Sequence, residues 1–168
     1  ILVCLVGSEM CIRDRFLATQ TGQKLAYSFT KGTGPTVVFL GGFKSDMEGS
    51  KAIFLEKWAR KRNRSFLRFD YSGHGQSSGD FLNLGIGDWF NDTKQIIELT
   101  KNNGLILIGS SMGGWISLLL SRELGSRLKG LITIAAAPDF TEDSMWKNFT
   151  EDQKKEVLNK GIPVSYTH

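Results

Sequence analysis

Cysteine and histidine are scarce in this chain of 168 residues, which holds two of each. Both cysteines, Cys4 and Cys11, lie within the first 15 residues, so the remainder has no thiol with which to form a disulfide framework. Nothing therefore argues for an oxidising compartment. Long apolar runs are also missing. None approaches the roughly 20 residues that a membrane-spanning helix needs, and we expect no membrane span.

The sequence also has no long segment in which basic or acidic residues are concentrated. The formal net charge is +4, with 23% of residues charged and 40% hydrophobic, a composition typical of one globular domain. The densest basic cluster, within residues 57–64, lies at the end of a predicted helix, where cations also interact favourably with the helix dipole. A nucleic-acid surface would need interleaved aromatic residues and a recognisable module, so we expect no nucleic-acid partner.

The two ends of the chain differ in character from the rest. Residues 1–15 start without methionine and, like residues 164–168, resemble translated adapter sequence at the ends of assembled gene fragments. A clipped signal peptide is the alternative for the first segment, but that segment lacks a basic start and its apolar stretch is too short. We therefore expect both ends to be sequencing artefacts and the domain to cover residues 16–163.

Between these ends, short β-branched runs alternate with segments of helical period. The predicted strands are Lys24–Thr30, Thr36–Leu40, Ser65–Asp70, Leu105–Ile108 and Leu131–Ala136. Predicted helices begin at Ser50, Ile86 and Met112, and the first runs to Arg62 with Phe54, Leu55, Trp58 and Ala59 facing inward. This alternation predicts an α/β fold, with a mostly parallel sheet flanked by helices.

One turn in this pattern points to chemistry. Leu105–Ile108 is followed by Gly109-Ser110-Ser111-Met112-Gly113, a G-x-S-x-G string between a predicted strand and a predicted helix. The small residues let the backbone bend sharply enough to expose the hydroxyl of Ser111, which we interpret as a nucleophile. The alternative is an ordinary helix start with a capping serine, but such a cap does not need glycine on both sides.

Two further strand ends carry related strings. Gly41-Gly42-Phe43 follows one predicted strand, and Phe69–Ser77, F-D-Y-S-G-H-G-Q-S, covers the end of the next. Together with G-S-S-M-G-G-W, these strings resemble the α/β-hydrolase superfamily. Within it they resemble the serine esterase and palmitoyl-protein thioesterase branch of alpha/beta-hydrolase-domain-containing protein ten and its bacterial relatives. The resemblance covers about residues 16–163 and implies the N-terminal part of that fold, with the C-terminal strands missing.

The resemblance also implies an activity. It indicates a serine hydrolase that cleaves small-molecule carboxylic esters or thioesters through an acyl-enzyme on Ser111. The backbone amides of Phe43 and Met112 would form the oxyanion hole, with the positive end of the following helix dipole behind them.

We expect no cofactor and no metal. We expect a cytoplasmic protein, or a mitochondrial one if the source is eukaryotic, and the sequence does not indicate an oligomeric state.

The rest of a catalytic triad is not visible. His74 precedes the nucleophile, whereas this fold places serine, acid and histidine in that chain order, and in the resembling family the loop around His74 shapes the site. Asp70 is interpreted as organising its loop, Asp139 is unassigned, and a cap region is expected from about residue 140. The chain as written should be nearly inactive, because losing the histidine alone costs a serine hydrolase on the order of 10⁶ in turnover. It should also expose one sheet edge.

Two other classes of function stay open at this point. A non-catalytic binding module with the hydrolase fold would also lack the acid and the histidine. A nucleotide-binding domain uses parallel strands and glycine turns too, but no G-x-G-x-x-G follows a strand and no lysine follows the glycines near Ser111. Covalent labelling by a fluorophosphonate probe separates the esterase from both alternatives.

Overall fold

A computed structural model describes residues 15–100 and 104–160 of the chain. Within these ranges the strands are β1 Arg15–Ala18, β2 Lys24–Thr30, β3 Thr33–Leu40, β4 Arg64–Phe69, β5 Leu105–Ser110 and β6 Leu128–Ile134. The α-helices are α1 Ser50–Lys61, α2 Ile86–Ile96, α3 Met112–Leu124 and α4 Glu151–Lys160. Short 3₁₀ segments at Phe81–Asn83, Ile97–Thr100 and Gly125–Arg127 and a π-helical turn at Thr141–Trp146 complete the secondary structure.

The six strands form one sheet in the order β1-β2-β4-β3-β5-β6. β3 pairs in parallel with β4 and β5, and β5 pairs in parallel with β6. β2 is antiparallel to both β1 and β4. The predicted mostly parallel sheet and the antiparallel strand Lys24–Thr30 are thus confirmed. Because β3, β4 and β5 are parallel neighbours, their carboxyl ends meet at one edge of the sheet.

Alternate residues of each strand point to opposite sides of the sheet, and both faces of the central strands β3, β4 and β5 are covered. On one face, Val37, Phe39, Phe66 and Ile108 pack with Ala52 and Ala59 of α1. The opposite face belongs to a larger cluster from the same strands and from α2 and α3. Its fully buried members include Val38, Leu40, Leu67, Leu107, Ile96, Met112, Ile116 and Leu120.

Helix α1 buries a different stripe from the predicted one. Phe54 is 69% exposed, so its predicted inward position is wrong. The fully or nearly buried residues of α1 are Ala52, Glu56 and Ala59. Leu55 and Trp58 are partly buried at the edge of this stripe. Glu56 can lie inside because buried Arg68 of β4 donates a hydrogen bond to its carboxylate at 3.0 Å.

Strand boundaries also differ from the prediction, most clearly in β3 and β6. β3 begins at Thr33, where the sequence suggested a turn, because the Thr33 N–H donates to the Asn63 carbonyl and Thr33 pairs with Arg64. The register then shifts before Val37, around Gly34 and Pro35. β6 begins at Leu128 and ends at Ile134, so it lies two to three residues earlier than the predicted strand.

The predicted ends of the domain are left untested. Residues 1–14 and 164–168 lie outside the described residues, and Arg15 opens β1 although the predicted boundary excludes it. Across the described ranges, every helix is too short or too polar to cross a bilayer.

Candidate active site

Ser111 lies at the sharp turn between β5, which ends at Ser110, and α3, which begins at Met112. Its φ of 53° and ψ of −119° place it in a region that non-glycine residues rarely adopt and that costs on the order of 1–3 kcal/mol. The Ser111 N–H donates to the Ile134 carbonyl at 2.9 Å, and the Ser111 carbonyl accepts from Gly114 at 2.9 Å and from Ala137 at 3.2 Å. These bonds hold the strained residue in place.

The side chain of Ser111 does not cap α3. A capping hydroxyl would accept a hydrogen bond from the first-turn amides, and no such bond is made. The alternative interpretation of the turn as an ordinary capped helix start is therefore wrong. Ser111 is partly exposed and is not part of the buried core.

The glycines of the turn are required by close approach between backbones. A methyl group at Gly113 would lie 2.1 Å from the Leu40 carbonyl oxygen, and one at Gly109 would lie 2.3 Å from the Gly113 carbonyl oxygen. Any side chain at either position would collide with main-chain atoms. The first turn of α3 is thereby pressed against the end of β3.

The loop after β3 runs directly beside Ser111. A methyl group placed at Gly42 would lie 3.4 Å from the Cβ of Ser111, so there is room for little more than a methyl group between this loop and the serine. The structure thus brings the loop that carries Phe43 beside Ser111, and the N–H groups of Phe43 and Met112 make no hydrogen bond within the described part of the chain.

Aromatic rings pack around Phe43, in the loop that runs beside Ser111. The ring of Phe43 contacts Phe81, Trp89 and Phe140 at centroid separations of 5.2, 6.0 and 5.6 Å. Trp115, one turn into α3, contacts Phe140 at 5.9 Å. Apolar walls lower the local dielectric and so strengthen interactions of any charge that develops between them.

The loop after β4 is organised by two buried aspartates. Asp70 accepts hydrogen bonds from the Met47 N–H at 2.6 Å and the Gln76 N–H at 2.8 Å, so it ties its own loop to the one after β3. Asp92 of α2 accepts from the Ser72 N–H at 2.8 Å. Burial raises the pKa of both carboxyl groups above the ordinary aspartate value. The geometry of Asp70 agrees with its predicted role in organising the loop.

His74 is buried, and both of its ring nitrogens face backbone groups. Nε2 accepts from the Lys44 N–H at 3.2 Å, and Nδ1 lies 3.2 Å from the Ser72 carbonyl. Burial lowers the pKa of the imidazole, although the bond to Ser72 raises it. With its one free lone pair already used, His74 has no site at which to take a proton from Ser111.

Asp139 follows β6 and has a positive φ of 52°. Its carbonyl accepts from the N–H groups of Glu142 and Asp143 at 3.0 and 2.8 Å, which starts the π-helical turn. The structure gives its carboxylate no function, so Asp139 stays unassigned.

The loop after β6 supports the site in a way that the sequence analysis missed. Ala135 has a positive φ of 46°, and the next two residues contact the serine turn. A methyl group at Gly114 would lie 2.6 Å from the Ala136 side chain, and Ala137 donates to the Ser111 carbonyl. In the sequence, this contact is indicated only by the run of three alanines at 135–137, whose small side chains allow such close packing.

No cluster of histidine, cysteine, aspartate and glutamate suited to a metal ion occurs in residues 15–100 and 104–160.

Comparison with known proteins agrees with this architecture. Residues 33–164 match the model of the Hydrolase_4 family, described as serine aminopeptidase, S33. The mitochondrial palmitoyl-protein thioesterase ABHD10 of Rattus norvegicus is 34% identical over 154 residues, which are 90% of this chain and 52% of the relative. The chain thus spans about half the length of the curated relatives it matches.

Solved structures share the fold. The mouse alpha/beta hydrolase domain-containing protein 10 superposes with a TM-score of 0.80 at 33% identity, over 89% of this chain and 59% of the other. A protein of Agrobacterium vitis S4 superposes with a TM-score of 0.82 at 32% identity, over 90% of this chain and 62% of the other. The family match covers most of the described sheet and the serine turn, and the chain belongs to the Hydrolase_4 family of α/β hydrolases.

Proposed function

We propose that this chain carries the nucleophile of a serine hydrolase that cleaves carboxylic esters or thioesters through an acyl-enzyme on Ser111. The observation that carries the proposal is the strained, uncapped Ser111 at the apex of its turn, with the glycine loop after β3 close beside it. Stored backbone strain of this kind concentrates at functional sites.

Each proposed role follows from the charge that develops during acyl transfer. The Ser111 Oγ attacks the carbonyl carbon, and the carbonyl oxygen becomes negative in the tetrahedral intermediate. The N–H groups of Phe43 and Met112 would donate to that oxygen, and the N-terminal dipole of α3 would stabilise it further. Losing one such donor costs roughly 10²- to 10³-fold in rate in other enzymes.

The proposed acid and general base lie outside this chain. Asp70 and His74 are engaged with backbone groups of neighbouring loops, and the chain covers 52% of the rat relative. The longer protein would supply an aspartate and then a histidine in its natural sequence downstream of residue 163, in the order that this fold uses. The 168-residue chain by itself should turn over substrate very slowly.

The proposed substrates are small acyl esters or thioesters. The rat relative is named a palmitoyl-protein thioesterase, and the aromatic rings of Phe43, Phe140 and Trp115 offer an apolar surface on which an acyl group could rest. The same name favours the mitochondrial alternative over the cytoplasm if the source is eukaryotic.

Covalent labelling by a fluorophosphonate probe tests the proposal. The protein is expressed with its natural sequence continued past residue 163, and labelled peptides are mapped by mass spectrometry, which separates Ser111 from Ser110. Ser111→Ala should abolish labelling and reduce ester hydrolysis by at least about 10⁴-fold. Ser121→Ala is the matched control, since its hydroxyl only donates to the Leu118 carbonyl on the same helix, and it should keep both activities.

Labelling at another residue, or hydrolysis that survives in Ser111→Ala, would overturn the proposal. A stable, folded protein with neither labelling nor hydrolysis would instead support the non-catalytic binding module.

A further inference from the structure

The loop that would carry one oxyanion donor, residues 41–47, adopts a backbone conformation that needs outside support. Lys44 has a φ of 55°, in the left-handed region that is costly for a lysine. The Ser45 N–H donates to the Gly42 carbonyl at 3.1 Å, so the chain turns tightly around Phe43 and Lys44. Such a conformation persists only where its surroundings enforce it.

Side chains from β4 and the loop after it provide this support. The far end of the loop is fixed at Met47, whose N–H donates to Asp70 at 2.6 Å and whose carbonyl accepts from Arg68 at 2.9 Å. The near end is fixed at Lys44, whose N–H donates to the Nε2 of His74 at 3.2 Å. The imidazole therefore contacts the loop one residue after Phe43.

The contacts of His74 also define its protonation state. A carbonyl oxygen can only accept, so the Nδ1 that faces the Ser72 carbonyl at 3.2 Å carries the hydrogen. Nε2 faces an N–H and must present its lone pair. The rings of Tyr71, Phe81 and Trp89 hold the imidazole plane at centroid separations of 5.6, 5.1 and 5.1 Å. A second proton would stand on Nε2 and break the bond to Lys44.

We propose that neutral His74 is a positioning residue: by accepting the Lys44 N–H, it orients the preceding peptide so that the Phe43 N–H points at the oxygen of the tetrahedral intermediate. The link runs through one residue: holding the Lys44 N–H restrains the ψ of Phe43, and the bond from the Ser45 N–H to the Gly42 carbonyl closes the turn that contains the Phe43 N–H. The catalytic consequence rests on the function proposed above, whereas the coupling between His74 and Lys44 does not.

Several charged groups surround the imidazole. Lys44 and Asp46 line the same small cavity from the loop after β3, Asp70 bonds the Gln76 N–H in the loop of His74 itself, and Asp92 of α2 bonds the Ser72 N–H. Burial lowers the pKa of His74, although the bond to the Ser72 carbonyl raises it. The imidazole should therefore be neutral at neutral pH, and it should lose its positioning role once the pH falls below the ordinary histidine pKa of about 6.5.

Kinetics of the longer protein test the role. His74→Phe keeps a ring among Tyr71, Phe81 and Trp89 but removes both nitrogens. We expect kcat to fall about 10- to 100-fold, which is less than the effect of losing a whole oxyanion donor, and KM to stay within about twofold. His74→Gln keeps an acceptor that does not titrate, so kcat should largely recover and the acid side of the pH profile should become less steep. Ser78→Ala is the matched control, because it removes bonds from the same loop to Gln23 and Lys24 only.

An NMR titration tests the coupling without any turnover. In the 168-residue chain carrying His168→Ala, His74 is the single histidine, so its ring ¹⁵N signals report one titration. The amide signal of Lys44 should shift with the same midpoint as the ring, and this shift should vanish in His74→Gln. A Lys44 amide that stays still while the ring titrates would overturn the inference, even if His74→Phe fails to fold.

The two proposals fail in different ways. Unchanged kcat in His74→Phe, with hydrolysis that still depends on Ser111, overturns the positioning role alone. Hydrolysis that does not depend on Ser111 overturns the proposed function and removes the catalytic role of His74 with it, whatever the NMR result.

Discussion

At the scale of single residues, Ser111 depends on neighbours that have almost no side chain. Its positive φ turns the chain so sharply that α3 starts against the carbonyl groups of Leu40 and Gly41. Only glycine at position 113 leaves room for this approach. The strained backbone of Ser111 is therefore possible only because Gly113 has no side chain to collide with the end of β3.

Gly113→Ala should destabilise the protein. The added methyl group would lie 2.1 and 2.5 Å from two backbone oxygens, which cannot move without shifting β3. Overpacking of this kind costs about 1–3 kcal/mol or more in the free energy of unfolding, measured by urea denaturation. The preference of a helix for alanine over glycine, up to about 1 kcal/mol, offsets only part of that cost.

Gly87→Ala is the control for this prediction. Gly87 lies exposed in the first turn of α2 and has no atom within 4 Å of an added methyl group. It should stabilise the protein by up to about 1 kcal/mol, because alanine is the better helix former. Equal effects of the two substitutions would contradict the steric account of the serine turn.

At the scale of elements, a buried ionic network joins the sheet to α1. Arg68 of β4 and Glu56 of α1 are 3% and 4% exposed, and the Nε of Arg68 donates to Glu56 at 3.0 Å. Ser28 and Thr30 of β2 also donate to Glu56, as does Arg60 from the next turn of α1. The carboxylate thus connects two strands and one helix.

Glu56→Gln should be strongly destabilising near neutral pH. The isosteric amide keeps the shape but leaves the buried Arg68 guanidinium with only the half-exposed Glu48 as a charged partner. Breaking one side of a buried pair costs about 3–5 kcal/mol in the free energy of unfolding. Glu123→Gln, which breaks an exposed pair with Lys94, should cost about 0–1 kcal/mol in the same urea titration.

The pH dependence of the difference in unfolding free energy between the wild-type chain and Glu56→Gln tests the role of Glu56 a second time. Burial raises the pKa of Glu56, but the hydrogen bond from Arg60 and the charge of Arg68 outweigh it, and the net pKa is lowered. A lowered carboxyl pKa adds stability above the unfolded value of about 4.3, and this stability is lost as pH falls through the folded value. The gap between the wild-type chain and Glu56→Gln should therefore shrink below about pH 4.3. A gap that is constant with pH would contradict the assignment.

The same network explains where prediction from sequence failed. Four apolar residues of α1 formed a stripe at helical spacing, and the pattern favoured Phe54 as inward. The buried stripe instead runs through Ala52, Glu56 and Ala59, because Arg68 on β4 supplies a partner for Glu56. Periodicity within one helix does not contain that partner. By contrast, β2 was predicted with its observed ends, since alternation and its flanking turns are local properties.

At the scale of the whole molecule, the sheet explains how much of the candidate site could be predicted. β3 and β5 are parallel neighbours, so strings at their carboxyl ends must meet, and the loop at Gly41 and Gly42 does lie against Ser111 and Gly113. The support from Ala135–Ala137 and the bond between Lys44 and His74 could not be predicted, because they depend on positive φ values in loops. These are tertiary contacts that no short motif encodes.

The last strand of the described sheet, β6, pairs with β5 on one side only. On it, Ile132 is 51% exposed and Ile134 is 37% exposed, so one apolar face and one row of backbone groups are uncovered. Exposed apolar strand edges favour pairing with other chains. The 168-residue chain should therefore associate with itself as its concentration rises.

Ile132→Lys should reduce this association, because a charge on an edge strand opposes pairing with another edge. Sedimentation velocity across a concentration series measures the effect, and the weight-average coefficient should become nearly independent of concentration in the variant. Phe54→Lys is the matched control, since it removes an exposed ring, 69% accessible, from α1 and leaves the sheet edge as it is. If Phe54→Lys suppressed association as well as Ile132→Lys did, general surface hydrophobicity and not the β6 edge would be responsible. The longer protein should associate less than the 168-residue chain if its additional residues cover β6.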